Sequence, residues 1–287
     1  MDAVGTERET NTRAVEAGIV RDFTENLSYG RYLHLDELLS AQAPLSRPEH
    51  HDELLFIVQH QTSELWLKLV LHELTTACDD LAADDLALAL KRLARIKHVQ
   101  EVLIEQWSVL ATLTPSEFGG FRSSLGTSSG FQSWQYRAVE FLLGNKNAAV
   151  LELFTDDDRA RAVLTDALER PSLYDEFLRL LARRGLDVPR ELLERDVRVA
   201  HVHSDALVAV FRKVYADPER WWDVYEACEE LVDIEDNMQL WRFRHLKTVE
   251  RTIGFRTGTG GSSGSSFLRR ALDLTFFPEL YAVRTTL

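Results

Sequence analysis

Few residues in this chain have types and spacings that suit chemistry. His245 follows Trp241 by four positions, so on a helix the imidazole and the indole share a face. One imidazole beside an apolar slot suffices as the axial ligand of a haem iron. The same pattern also describes a half-buried histidine on an interior stripe, and periodicity does not separate the two. His60 and Glu64 are again four apart, inside a strongly apolar run. A di-metal bundle would repeat Glu-x-x-His pairs on several helices, which does not happen here. His72 lies about 120° round the helix from His60 at roughly 100° per residue. These residues favour a hydrogen-bonding His60 in an apolar pocket over a non-haem metal ligand. Arg122, with the aromatics Phe118 and Phe121 close by in sequence, offers a planar fork for a carboxylate, or else a surface salt bridge. The stretch TGTGGSSG (257–264) is not a phosphate loop. Ser263 takes the place of the last glycine of GxGxxG, no GK[ST] follows, and the segment leaves a helix rather than a strand. Its exposed N–H groups and its hydroxyls at Thr257, Thr259, Ser262 and Ser263 can wrap a small anion such as a carboxylate, or serve as a plain linker.

Long helices must carry these groups. Trp221 to Ile253 contains no proline or glycine, and Leu231, Ile234, Met238, Trp241, His245 and Val249 recur at helical spacing. Acidic residues crowd its first half and basic ones its second, as the helix dipole favours, and Gly254 stands where a C-terminal cap is expected. Such a helix spans roughly 50 Å. A second helix, His51 to about Leu81, is so densely apolar that burial over much of its surface is expected. A third runs from Ala83 to Leu113 and stops at Thr114-Pro115. Residues 115–144 form a loop followed by a helix that Ser133 can cap. Two short charged helices are expected over 156–184, split by Pro171. Pro189 should open another long helix reaching Ala216, on which His201 and His203, two apart, would not aim at one metal. After the glycine-rich turn a helix and a proline-stopped tail close the chain. No strand or internal repeat is visible, so the class is all-α: a bundle of long helices with smaller accessory ones.

Composition narrows the function. The 287 residues carry 46 acids against 33 bases, a net charge of −13, which argues against a nucleic-acid partner. With 45% apolar residues and six tryptophans, a large core is possible. Two distant cysteines, Cys78 and Cys228, make neither a disulfide framework nor a CxxC or CxxCH motif, which suits a reducing, cytoplasmic setting. The polar N-terminus reads as disordered over residues 1–20 and lacks a secretion signal. No run approaches membrane-spanning length.

Four stretches read together, FIVQHQTSELWLKLVLHEL (56–74), FRSSLGTSSGFQSWQYRAVE (121–140), WRFRHLKTVERTIG (241–254) and TGTGGSSG (257–264), closely resemble the tryptophan 2,3-dioxygenase family, cytoplasmic haem enzymes that open the indole ring. The aromatic arm LSYGRYLHLDELLSAQ (27–42) resembles the family's N-terminal segment, and the resemblance runs from about residue 22 to the C-terminus. It implies one all-α domain over 21–287, with long helices around a haem pocket, an arm (21–50) contacting a neighbouring subunit and accessory helices over 155–215. It implies haem b, one per subunit and non-covalent, with iron ligated by His245, Trp241 packed nearby, and Ser129 and Gly130 in the loop beside the haem edge. His60 is implied to face the indole nitrogen. Phe56, Ile57, Val58, Gln59 and His60 would wall the substrate pocket, Arg122 would clamp the carboxylate, and Thr259 would meet the amino-acid head group. Phe118 matches an aromatic wall position where some members have tyrosine, so that hydroxyl is lost here. Tyr29, Tyr32 and Leu33 match the arm that completes a neighbouring pocket in a homotetramer. Trp134, Phe267 and Tyr281 depart from related sequences and concern packing.

The implied reaction takes L-tryptophan and O2 to N-formylkynurenine, with His60 as a base or, since an indole N–H is a very weak acid, as an orienting acceptor. A haem-based sensor or carrier could use the same proximal histidine, and a non-catalytic helical interaction protein would need none of these groups. The His60 stretch and the TGTGGSSG turn favour the tryptophan-specific family over the related indoleamine dioxygenases.

Overall fold

The computed structural model describes residues 12–13 and 15–287, so the disorder expected over residues 1–20 falls largely outside it. The described residues are all-α, with no strand among them. They divide into two units, one ending at Ala43 and one running Pro44–Leu287. In the first, Ser28 caps helix α1 (Tyr29–Leu33) by accepting from the Arg31 N–H at 3.2 Å. His34, in a left-handed conformation, ends α1 and opens α2 (Leu35–Ser40).

The second unit contains α3 (Glu53–Ala82), α4 (Leu86–Leu110), α5 (Pro115–Phe121), α6 (Trp134–Leu143), α7 (Asp158–Glu169), α8 (Leu173–Arg183), α9 (Arg190–Leu193), α10 (Asp205–Ala216), α11 (Trp222–Ile253), α12 (Ser265–Ala271) and α13 (Pro278–Arg284). The boundaries follow local chemistry. Asp85 accepts from the Leu88 N–H at 3.0 Å and starts α4. Thr114 and Glu117 form a reciprocal capping box around Pro115 at the start of α5. Ser133 caps α6 through the Tyr136 N–H. Gly254, at φ 62°, ends α11.

Helix α4 lies against both α3 and α11, and their facing stripes fill the main core. Leu231, Ile234 and Met238 are buried there as their spacing predicts. The expectation for α3 holds on three sides only. It packs on α4, α6 and α8, while Leu54, Val58 and Leu65 form a stripe that is 47%, 42% and 49% exposed.

Two sequence expectations need correction. The long helix from Pro189 is broken: α9 ends at Leu193 and α10 starts only at Asp205. Side chains in between compete for the backbone. Asp196 accepts from the Arg198 N–H at 3.0 Å, Arg195 reaches back to Asp175 at 2.6 Å, and His201 donates Nε2–H to the buried Glu279 carboxylate at 2.7 Å. The two histidines therefore sit on a loop. At the C-terminus Pro278 starts a helix instead of stopping one. At the first helical position its missing N–H costs nothing and its φ is already suitable.

A buried arginine ties the C-terminal segment to α11. Arg242, 3% exposed, donates to Glu140 at 2.8 Å, to Tyr136 Oη at 3.2 Å, and to the Ala271 and Leu274 carbonyls, each at 3.1 Å. Removing one member of a buried pair leaves the other uncompensated. Arg242→Met should lower stability by about 3 kcal/mol, since Arg137 still holds Glu140 at 2.6 Å. Denaturant unfolding of wild type and variant measures this directly.

A second, smaller core stands apart from the main one. Trp107, Leu110, Leu113, Phe118 and Phe121 form it, with Phe56, Trp241 and Ile253 packed against it. The helices α3, α4, α5 and α11 each give it an aromatic ring.

Candidate active site

Within this aromatic core lie both histidines singled out from the sequence. His245 stacks on Trp107, ring centroids 4.7 Å apart and planes 10° from parallel, and tilts against Trp241 at 5.4 Å. Tyr136 stacks on the far side of Trp241 at 5.0 Å. Among the described residues no protein group hydrogen-bonds to the His245 ring. Burial pushes its pKa down to about 4, with the nearby His60 and Arg137 adding to the effect, so the imidazole is neutral at pH 7.

His60 packs on Phe56 at 4.2 Å, and Phe56 contacts Phe118 and Phe121 at 5.8 and 5.7 Å. Its pKa is also lowered: burial outweighs the Phe56 carbonyl and Glu64, which act the other way. His60 Nδ1 lies 2.7 Å from the Phe56 carbonyl. A carbonyl only accepts, so Nδ1 carries the proton and Nε2 keeps a free lone pair. Both imidazoles retain accessible surface although apolar groups crowd round them, as walls of an internal cleft do.

The glycine-rich turn closes on the loop before α6. Thr259 Oγ1 donates to the Ser128 carbonyl at 2.5 Å, and Arg122 Nη2 donates to the Thr257 carbonyl at 2.6 Å. Glycine is required at two points. A Cβ on Gly260 would stand 2.7 Å from Ser129 Cβ, and one on Gly264, at φ 63°, would stand 2.3 Å from the Arg256 carbonyl oxygen. The result is a cleft of about 480 Å³ lined by Arg122, Ser123, Arg256 and Thr259, with glycines between them. Helix α5 and the turn after it connect the two regions: Phe118 and Phe121 face the aromatic core, while Gly119 and Arg122 face the cleft.

The structure thus brings together Phe56, His60, Phe118, Trp241 and His245 in one cluster, and Arg122 and Thr259 in the adjoining cleft. Ser129 packs beneath Gly260 and caps the short turn that starts at Gly130. Ile57 is half-buried, Val58 is 42% exposed, and Gln59 turns toward Gln106 of α4. Tyr29, Tyr32 and Leu33 belong to α1, in the other unit. The sequence reading passed over Trp107, Tyr136, Arg137 and Arg256. Trp107 is one apolar position among many on α4, and the other three gave no spacing signal of their own.

These residues fit the haem that the resemblance implies. His245 is a neutral imidazole with no protein partner, in an aromatic box. Beside it, Trp107 Nε1 and Arg137 Nε are buried donors without a partner among the described residues, suited to the carboxylates of such a group. No cluster of three His, Cys, Asp or Glu side chains able to hold a metal exists among the described residues.

Fold and site define an all-α protein in which two histidines share an aromatic core beside a cleft lined by Arg122, Arg256 and Thr259. The profile of the tryptophan 2,3-dioxygenase family matches residues 14–187 and 197–287, passing over the stretch that holds α9. The chain is 73% identical over 277 residues to tryptophan 2,3-dioxygenase of Kineococcus radiotolerans, covering 96% of this chain and 97% of that protein. It is 66% identical over 275 residues to the enzyme so named from Saccharopolyspora erythraea, and 58% identical over 275 residues to that from Serratia proteamaculans, covering 96% of this chain and 98% of the relative in both cases. The chain belongs to the tryptophan 2,3-dioxygenase family, an oxidoreductase family of dioxygenases.

Proposed function

We propose that this chain is a haem-dependent enzyme that inserts both atoms of O2 into the C2–C3 bond of the indole of L-tryptophan, giving N-formyl-L-kynurenine. One arrangement carries the reading: two neutral imidazoles in a single aromatic core, beside a cleft that presents a guanidinium. His245 would hold the haem iron, with Trp241 and Trp107 fixing the ring; Trp107 and Arg137, with Ser129 and Gly130 nearby, would meet the haem edge. When bound, haem supplies the O2 chemistry, and the chain supplies position and polarity.

The chain's own residues then select and orient the substrate. Phe56 and Phe118 give the flat ring an apolar wall. The free lone pair of His60 Nε2 accepts the indole N–H and so sets the ring's rotation. Arg122 takes the carboxylate through a charge-assisted contact. The Thr259 hydroxyl spends its proton on Ser128 and keeps lone pairs for the ammonium. Anchoring both ends of the guest fixes which ring carbons are presented. His60 orients rather than deprotonates: an indole N–H is far too weak an acid for a base whose pKa is depressed.

The test is direct. The haem-loaded, reduced protein in air should convert L-tryptophan to formylkynurenine, followed by its chromophore. His60→Ala should keep the pigment while turnover falls by about 10- to 100-fold. A colourless His60→Ala protein would contradict this assignment.

The same reading extends to assembly and setting. Residues 21–287 form one functional domain, the arm of residues 21–50 serves a neighbouring subunit through Tyr29, Tyr32 and Leu33, the helices over 155–215 are accessory, and four copies assemble. A cytoplasmic location is supported by two buried free cysteines, Cys78 and Cys228, and no described helix is long and apolar enough to cross a membrane.

A further inference from the structure

The cleft beside the aromatic core holds a second cation that the reading above leaves without a role. Arg256 lines it together with Arg122 and Thr259; glycines and Ser123 make up the rest of the wall, and no carboxylate contributes. Among the described residues the Arg256 side chain makes no ion pair or hydrogen bond. Its backbone is nonetheless fixed. The Arg256 N–H bonds the Ile253 carbonyl at 3.4 Å, and the chain returns so closely at Gly264 that a Cβ there would collide with the Arg256 carbonyl. Arg256 is thus an exposed residue on a hydrogen-bonded backbone, lining a cleft whose wall contains no carboxylate, in a chain whose net charge is −13.

We propose that Arg256 is a second carboxylate-binding residue and makes the site selective for an indole bearing a free carboxylate. The proposal rests on the tryptophan reading and deepens it. Arg122 already gives one of its N–H groups to the Thr257 carbonyl. A carboxylate has two oxygens and about four acceptor positions, so one guanidinium that is partly engaged leaves room for another. Only a guest can neutralise the pair, because the wall supplies no acid. Decarboxylated and amidated indoles would leave both arginines of the cleft lining without an anion, which disfavours them.

The experiment uses haem-loaded wild type, Arg256→Gln and Arg256→Lys. Calorimetry measures equilibrium binding of L-tryptophan, indole-3-propionate, which has the carboxylate without the ammonium, and tryptamine, which has the reverse. Steady-state kinetics are run on L-tryptophan. Arg256→Gln should weaken L-tryptophan and indole-3-propionate about five- to thirtyfold and leave tryptamine unchanged or bound more tightly. KM should rise while kcat stays nearly constant, pigment content should match wild type, and Arg256→Lys should recover part of the loss. Equal weakening of all three probes, or none, overturns the proposal, because a merely structural arginine would not discriminate by the guest's carboxylate. Wild type that binds indole-3-propionate in an Arg256-dependent way but fails to oxidise tryptophan would sink the reaction assigned above and leave the carboxylate site standing.

Discussion

Replacing His245 with alanine yields a folded protein that purifies without pigment and does not oxidise tryptophan. The ring packs on Trp107 and Trp241 and makes no hydrogen bond among the described residues. Truncating it costs about 1–2 kcal/mol of aromatic contact, small beside the helical core of α3, α4 and α11. What disappears is a buried, neutral imidazole with no hydrogen-bond partner among the described residues. The absorption spectrum after haem reconstitution, read beside far-ultraviolet circular dichroism, separates loss of ligand from loss of fold. Imidazole added to His245→Gly should restore part of the pigment. Normal haem content in His245→Ala would show that another group holds the iron.

Arg122→Leu should keep its pigment and lose about 100-fold in kcat/KM for L-tryptophan. Among the described residues Arg122 forms no salt bridge, and its guanidinium donates only to the Thr257 carbonyl. The substitution therefore removes the head-group contact and also loosens the turn that carries Thr259. Both kcat and KM should suffer, because the ring carbons are no longer held in register. That distinguishes Arg122 from Arg256, whose loss is confined to binding. A change of less than about threefold would remove Arg122 from the site.

Legibility from sequence followed the physics of each feature. Helix α11 was readable because a long uninterrupted 3.6-residue period, a charge gradient and a terminal glycine all point the same way. The cap at Ser133 is local, so its residue type announced it, whereas Thr114-Pro115 reads as the stop of α4 and also proves to start α5. The break between α9 and α10 was hidden because it depends on distant partners: Arg195 needs Asp175, and His201 needs Glu279, 78 positions away. Pro278 misled because proline both stops helices and starts them. At the site, His60, Arg122, His245 and Thr259 stood out through unusual surroundings or through resemblance. Trp107 did not, since an indole on an apolar stripe looks the same whether it faces leucines or an imidazole. Arg256 was equally silent, because an exposed arginine acquires meaning only from the cleft that the returning turn builds around it.

Isotope labelling tests the central claim most directly. Haem-loaded protein, reduced and given L-tryptophan under ¹⁸O2 in ordinary water, should release N-formylkynurenine with both new oxygen atoms labelled, and no labelled product should form with His245→Ala. A product carrying only one labelled oxygen, or none, or oxygen uptake that does not depend on tryptophan, would contradict the account.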